Sequence, residues 1–478
     1  MHLLVRLSGE IFLKSTRVSR RFQKQLSSNL KAAFRQEKIA YRLREEWTRL
    51  WVHSDDERVL GLVQRIFGIQ AISLIEHECQ ADLDEIVREG SAFYLPLIQG
   101  KRFAVSARRG GTHSFNSMDI CRRLGQALNS PNTASMVDLS NPELTVCVDI
   151  KDDRAYFYRT TTKGPGGLPL GTGGHCVSLI SGGFDSVVAS WMLQKRGVTL
   201  EFLFCDLVGD PFRTDVIGIV KRLAQTWSFG YTPRLHIIDF RPLVKDIQTH
   251  VTPAYSQVIL KRLFYRAASM LGQTVEANGI VTGEALGQVS SQTLKNLQAI
   301  SSAVNVPILR PLVAFDKPEI ITMSRKIGLY ELSSRVKEFC QIVPQKPVTA
   351  CSPERAEQEE FKLDMLLLET LFAGREIIEL ASIENGKQDN PFFIDKVPRN
   401  AVVIDCQSEE AFQKWHHETA QHWEFHDLLS AYPAFSKEKT YVVYCTFGTQ
   451  SAVAVQQMRN SGFHAFSVKG GVKTLARH

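Results

Sequence analysis

The sequence predicts an α/β protein of several domains strung in series, and three observations predict it. Between residues 175 and 330, runs that read as buried strands alternate with helix-length segments. That is the pattern of parallel strands joined by crossover helices. The stretch Gly164-Pro165-Gly166-Gly167-Leu168-Pro169, followed by Gly171, Gly173 and Gly174, breaks the chain just before that region, because both residue types interrupt regular structure. A separate strand–helix alternation begins at Ala401. At 478 residues, the chain has room for about three domains of ordinary size.

Taken in order, residues 1–55 place short strand-like runs at 3–7 and 50–53 around a basic amphipathic segment at 19–34, which reads as a small α+β unit. Residues 59–66 have helical periodicity, and Phe67-Gly68-Ile69 reads as its stop. Residues 103–108 and 144–150 read as strands, with a helix near 120–128. After the glycine-rich break, buried-strand runs lie at 177–180, 200–205, 235–238 and 279–282. Residues 353–383 read as helical and 385–400 as a linker. The last region gives strands at 402–404, 441–444 and 464–468, with helices at 409–417 and 451–461.

Composition narrows the classes. Hydrophobic residues make up 44% and charged residues 22% of the chain, as in soluble globular proteins. No apolar run approaches the roughly 18 residues that a membrane span needs, and the first residues carry an early charge unlike a signal peptide. A cytoplasmic protein is expected. Nine cysteines in this length do not make a disulfide framework, so a special cysteine is expected to be catalytic or redox-active. The net charge is +7, and residues 1–50 alone hold twelve Lys/Arg against four Asp/Glu. A basic segment of this kind suggests an anionic partner such as nucleic acid; read by charge alone, a solvated basic surface fits equally.

The chemistry is clearest at Ser181-Gly182-Gly183-Phe184-Asp185-Ser186. A buried strand runs into this loop and a helix follows it. Glycines let a backbone approach a phosphate closely, and successive N–H groups at a helix start form an anion cradle. Ser181 and Ser186 add hydroxyl donors. Asp185, itself an anion, suits a magnesium ligand or an orienting group. The Walker pattern G-x-x-x-x-G-K-[ST] does not occur. The loop is instead similar to the S-G-G-x-D-S pyrophosphatase loop of enzymes that cleave ATP between its α and β phosphates.

With the segments Val-Ile-Leu-Lys-Arg at 258–262, Val-Thr-Gly-Glu-Ala-Leu-Gly-Gln-Val-Ser-Ser-Gln-Thr at 281–293 and Ile-Leu-Arg-Pro-Leu at 308–312, the whole chain resembles the bacterial tRNA uridine 4-sulfurtransferase family in its long form. The resemblance implies a ferredoxin-like domain over 1–56 and a THUMP RNA-binding domain over 57–161. It implies a PP-loop ATP pyrophosphatase (adenylation) domain with a parallel sheet over 172–384, a linker at 385–399 and a rhodanese-like α/β domain over 400–478. It places ATP contacts at Leu179, Ile180, Lys261, Gly283 and Gln292, beside the loop residues Ser181, Gly182, Gly183 and Ser186. Taken singly, Lys261 also fits a surface lysine and Gly283 a plain turn glycine. RNA contacts are expected from the paired basic residues Lys101-Arg102 and Arg108-Arg109, although residues 51–161 are net acidic, with twelve basic against fifteen acidic residues.

Cys445 follows a strand and precedes a glycine-containing loop and a helix, where a thiol gains nucleophilicity. The resemblance makes it the persulfide carrier and makes Cys340 its redox-active disulfide partner, with Cys351, Cys406 and Cys205 as rivals. The loop Cys445-Thr446-Phe447-Gly448-Thr449-Gln450-Ser451 lacks the arginine that rhodanese loops often carry. Its backbone N–H groups are therefore expected to do more of the anion binding, with sulfur delivered by a docked cysteine desulfurase. The resemblance further implies ATP with magnesium, a tRNA substrate and the thiamine-pathway sulfur carrier protein as a second acceptor. It also implies an external reductant such as ferredoxin or a thiol system, and it leaves a homodimer open. Two other readings stand beside it: a PP-loop amidotransferase, and a tRNA-binding protein with a degenerate nucleotide domain.

Overall fold

The computed structural model describes residues 1–129, 134–334, 336, 346–381, 392–446, 448–468 and 470–476. They form two compact units, residues 1–173 with 195–197, and residues 174–194 with 198–478. No helix among the described residues is long and apolar enough to cross a membrane.

The first unit holds strands β1 (His2–Leu7), β2 (Arg42–Glu45), β3 (Arg49–His53), β4 (Ile69–Ile75), β5 (His77–Gln80), β6 (Arg102–Gly110), β7 (Met136–Val137), β8 (Leu144–Lys151), β9 (Arg154–Tyr158) and β10 (Thr161–Lys163). They make two five-stranded sheets, ordered β10-β4-β1-β3-β2 and β5-β9-β8-β6-β7. The first is antiparallel throughout. It takes in β4 and β10, so residues 69–75, expected beyond the division at 56/57, pair with β1 instead. Helix Thr16–Gln36 buries Phe22, Leu26, Leu30 and Ala33, the helical spacing of one apolar stripe, and leaves Arg17, Arg20, Arg21, Lys24, Lys31 and Arg35 exposed.

In the second sheet, β6 and β8 run parallel. Helices Leu83–Ile98 and Ser117–Leu128 cover it and share its core through Tyr94, Phe103, Leu124 and Phe157. Asp149 on β8 ties the two sheets together. Its carboxylate is 1% exposed and accepts from Arg6 at 3.0 Å and Arg49 at 2.8 Å. Two cations around it leave the buried carboxylate paired on both oxygens, and the partly exposed guanidiniums keep contact with solvent. Leu4, Trp51, Tyr156 and Tyr158 pack alongside.

The second unit contains β11 (His175–Leu179), β12 (Thr199–Asp206), β13 (Arg234–Asp239), β14 (Ile280–Val281), β15 (Ile308–Leu309) and β16 (Glu376–Glu379) in the order β15-β14-β11-β12-β13-β16. All pairings are parallel except β13 with β16. The antiparallel edge strand is a departure, since residues 353–383 read as helical throughout. Helices Pro353–Glu360 and Met365–Ala373 do form. The chain turns at Gly374, and Ile377-Ile378, β-branched residues that suit a pleated strand, then pair with β13.

The other sheet in this unit is wholly parallel, with β17 (Phe393–Ile394), β18 (Val402–Asp405), β19 (Gln421–His422), β20 (Thr440–Tyr444) and β21 (His464–Val468) in the order β17-β21-β20-β18-β19. Part of the expected linker, Phe393–Ile394, therefore serves as its edge strand. The α/β architecture, with parallel sheets in both of the last two regions, is the predicted one.

Candidate nucleotide and sulfur sites

The glycine loop sits at the carboxyl end of β11, where ligands of open α/β sheets gather. Gly182 has φ +80°, and a Cβ there would lie 3.0 Å from Val216. Ser186, at the start of helix Phe184–Lys195, stitches the loop: its Oγ accepts from the Ser181 N–H at 3.1 Å and donates to the Gly183 carbonyl at 3.2 Å. Its hydroxyl is thus engaged in holding the loop's shape, while Ser181 lies exposed at the rim. Below, Ser190 Oγ donates to the Ser186 carbonyl at 2.7 Å and meets Ser178 Oγ at 2.8 Å.

Gly283 follows the end of β14 and presses against the loop. A Cβ built on it would lie 2.5 Å from the Asp185 carbonyl carbon and 2.5 Å from the Ser186 nitrogen. That excludes any side chain and explains the residue type. The segment beyond Gly283 doubles back through Gly287 and Gln292, whose backbones hydrogen-bond at 2.9 Å. The Gln292 Oε1 is shielded from solvent and has no hydrogen-bond partner among the described residues. A buried acceptor left in this state costs about 1–3 kcal/mol, and an N–H on a bound base would relieve it. Leu179 ends β11, and Ile180 continues the ladder by donating its N–H to the Leu203 carbonyl at 3.0 Å. Lys261, on helix Ser256–Thr274, has its Nζ 5.4 Å from the Phe264 ring. Burial raises the Cys205 thiol at the end of β12, and the Lys261 charge pulls against that rise, so the lysine faces the carboxyl end of the next strand.

Two neighbours of Asp185 were not anticipated. Its carboxylate, 8% exposed, accepts from Lys317 Nζ at 2.7 Å on one oxygen and from Gln288 Nε2 at 3.1 Å on the other. Lys317 opens helix Lys317–Lys326, where a cation is disfavoured by the helix dipole. That placement was a signal, available in the sequence, that the lysine serves a partner elsewhere. Glu284 was also missed. It joins two of the quoted segments by accepting from Arg310 at 2.9 Å and from the Tyr265 hydroxyl, which braces the backbone beside Gly283. Replacing Lys317 by alanine should lower stability by about 1–2 kcal/mol, since the half-exposed lysine leaves a buried carboxylate short of a donor. Urea titration checks this, and Lys317→Arg should recover part of the loss.

In the wholly parallel sheet, Cys445 is 2% exposed at the end of β20. Its Sγ accepts from the Gly448 N–H at 3.1 Å and from Ser451 Oγ at 3.7 Å. Gly448, with φ +84°, caps helix Thr449–Asn460. Cys351, Cys205 and Cys406 are buried. Cys340 lies outside the described residues. Among the described residues no cluster of His, Cys, Asp and Glu could hold a metal ion.

The paired basic residues of the second sheet divide by strand geometry, because successive residues on a strand point to opposite faces. Phe103, Val105 and Ala107 pack on the helix-covered core, which puts Arg109 in their series and Arg108 and Arg102 on the other face. Arg109 donates to the Gly111 carbonyl at 3.0 Å. Arg102 is tied to Asp138 at 3.1 Å and Glu143 at 3.3 Å, and Lys101 Nζ donates to the Leu97 carbonyl at 3.0 Å.

Comparison with known proteins agrees with this layout. Residues 2–73 match the ThiI ferredoxin-like domain, 80–159 the THUMP domain, 171–365 the family described as Thiamine biosynthesis protein (ThiI), and 393–478 the rhodanese-like domain. A tRNA sulfurtransferase of Desulfurococcus amylolyticus is 35% identical, the match covering 99% of this chain and 98% of that protein. One of Haemophilus influenzae is 33% identical over 97% of this chain and 98% of its own. Among solved structures, a 4-thiouridine synthetase in complex with RNA and ATP superposes with a TM-score of 0.67 at 28% identity, covering 79% of this chain and 99% of that one. With its nucleotide loop, its cysteine-bearing parallel sheet and relatives matching along nearly its whole length, the chain belongs to the tRNA sulfurtransferase family.

Proposed function

We propose that this protein is an ATP-dependent tRNA 4-thiouridine synthetase that adenylates uridine 8 and replaces its O4 with persulfide sulfur carried on Cys445. The observation that carries the reading is the intact 181–186 loop, closed on one side by Gly283, in a chain that matches tRNA sulfurtransferases over 99% of its length. The loop backbone and Lys261 hold the phosphates, Leu179 and Ile180 line the base, and Gln292 Oε1 accepts an N–H from it. Uridine O4 attacks the α-phosphate, giving an adenylated base and pyrophosphate. AMP is then a leaving group that the original oxygen was not. Magnesium bound with the nucleotide would supply positive charge at the phosphates. For Asp185 to bind it, Lys317 or Gln288 must release a carboxylate oxygen; otherwise Asp185 serves to orient Lys317.

A cysteine desulfurase loads Cys445; Cys340 bonds to the inner Cys445 sulfur, the persulfide S–S bond breaks, and the terminal sulfur bonds to C4 as AMP leaves with the original oxygen. An external thiol or ferredoxin reductant reopens the Cys340–Cys445 disulfide. The thiamine-pathway sulfur carrier protein, adenylated at its C-terminal carboxylate, is a second acceptor. The reaction suits a reducing cytoplasm. The exposed basic face of helix Thr16–Gln36 and the 102–110 strand supply the RNA footprint. Neutralising Arg108 and Arg109 together should weaken tRNA binding about tenfold and reduce its salt slope by about one per lost phosphate contact, measured by filter binding across a salt series.

The deciding experiment is ATP–pyrophosphate exchange with unmodified tRNA, followed by mass spectrometry of the digested nucleosides. Exchange that requires tRNA, with 4-thiouridine appearing once a desulfurase and cysteine are added, is expected. Exchange that ignores tRNA, or its absence with every tRNA tried, rejects the reading.

A further inference from the structure

Cys406 lies beside the sulfur-carrying cysteine. Strand β18 pairs with β20 in parallel, and the last aligned pair is Asp405 with Tyr444. The ladder continues one step, with the Cys406 N–H donating to the Tyr444 carbonyl at 2.8 Å. Side chains alternate faces along a strand. Ile404, Cys406, Val443 and Cys445 accordingly share one core, while Val403, Val442 and Tyr444 share the other. Aligned residues on neighbouring strands stand about 4.8–5.5 Å apart, inside the roughly 4.4–6.8 Å range of Cα separations that a disulfide spans. The Cys406 thiol is 1% exposed and shares one core cluster with Cys445, which is 2% exposed.

We propose that Cys406 is an internal resolving cysteine that discharges the Cys445 persulfide when no acceptor takes its sulfur. This rests on the reading above, in which Cys445 carries the persulfide. The Cys406 sulfur bonds to the inner sulfur of Cys445, the persulfide S–S bond breaks, and its electron pair leaves on the terminal sulfur. That sulfur takes the Cys406 proton and departs as hydrosulfide. The Cys406 sulfur is oxidised and the departing sulfur reduced, so no outside oxidant is needed, and an added thiol reopens the Cys406–Cys445 disulfide. Both groups sit in one small sheet, so the step needs no domain movement and gains the advantage of proximity. Burial and the neighbouring Cys445 push the Cys406 thiol well up. It therefore stays protonated at neutral pH and carries the proton that the departing sulfur takes.

The test uses the full chain carrying Cys340→Ala, which removes the other resolving thiol. The protein is loaded with a desulfurase and cysteine, and a 32 Da gain (about one sulfur atom,) on the Cys445 peptide is verified. It is then held without tRNA, quenched in acid and alkylated in denaturant. Expected are released sulfide and a linked Cys406–Cys445 peptide. Adding Cys406→Val or Cys406→Ser should slow sulfide release about tenfold or more and preserve the mass gain. Equal release from both double variants, or an emptied Cys445 with no linked peptide, overturns the proposal. A Cys445 peptide that never gains sulfur overturns the persulfide reading and this step with it. A second arm does not depend on persulfide. Diamide, a thiol oxidant, should join Cys406 to Cys445 in the unloaded Cys340→Ala protein, and a Cys445 that stays a thiol or pairs elsewhere shows the juxtaposition to be wrong.

Discussion

Gly283→Ala is expected to lower ATP-dependent turnover at least about a hundredfold, because an ångström of displacement at a reacting centre costs on that order. The added Cβ would stand 2.5 Å from both the Asp185 carbonyl carbon and the Ser186 nitrogen. Neither is the mobile end of a side chain. Both belong to the backbone where the loop enters helix Phe184–Lys195, so relief requires moving the loop or the end of β14. The second is braced by Glu284 and Arg310, and the loop yields. Overpacking of this kind also costs about 1–3 kcal/mol of stability. Calorimetric titration with ATP separates the two effects: a folded variant with an unchanged melting profile and lost ATP affinity places the damage in the cradle. Wild-type affinity and turnover in the alanine variant would mean that the close approach is not required. Gly182→Ala, where the nearest atom is a Val216 methyl at 3.0 Å but φ is +80°, should be milder in its contacts and penalised chiefly by conformation.

Glu360→Gln is expected to destabilise the second unit by about 3–5 kcal/mol, the cost of leaving a buried charge without its partner. Glu360 accepts from Arg262 at 2.7 Å and from Arg266 at 2.8 Å, and the Arg262 side chain is only 2% exposed. Arg262 also donates to Ser302 at 2.9 Å and to the Ala299 carbonyl. The arginine thus pins helices Ser256–Thr274, Leu294–Ser301 and Pro353–Glu360 together behind the nucleotide face. Burial by itself would raise the Glu360 carboxyl, but hydrogen bonds from Arg266 and Arg262 outweigh it and hold the group below the usual carboxylate range. A depressed carboxyl contributes stability above its unfolded value of about 4.5, and the contribution is lost as the pH falls through the lower folded value. Denaturant titrations, followed by a probe in this unit because a multidomain chain need not unfold in one step, should show wild type weakening as the medium turns acid. The glutamine variant should be weaker at neutral pH and flatter below it. A loss under about 1 kcal/mol at neutral pH would show that the arginine finds water or another acceptor.

Arg262 also marks where local reading stops. It sits in a segment whose residues resemble the family's ATP contacts, and its neighbour Lys261 turns towards the end of β12. One residue later on a helix the side chain points about 100° away, and Arg262 is buried against Glu360, 98 residues on. Lys317 and Asp185 meet across 132 residues. Cys406 is one of three rivals to Cys340 in the sequence until the order β18 beside β20 sets it against Cys445. Arg108 and Arg109 read as one basic pair until the pleat divides them between faces. The strand at Glu376–Glu379 has Ile377-Ile378 as a local sign, but its place in the sheet comes from pairing with β13, a partner more than 130 residues earlier.

By itself, the sequence determined the features whose cause is local. A strand buried on both faces is mostly apolar, so β11, β12, β13 and β14 are visible as runs even though Ser178, Glu201 and His236 are buried within them. Adjacent glycines allow a close approach to the backbone, so Gly182 and Gly183 stand out between a strand and a helix. The tertiary structure alone decided what depends on pairing across the chain: the donors that surround Asp185, the acceptor left waiting on Gln292, the carboxylate that neutralises Arg262 and the thiol that faces Cys445. Each of these energies depends on a partner far away in sequence, and no local pattern encodes a distance that only strand order and helix packing set.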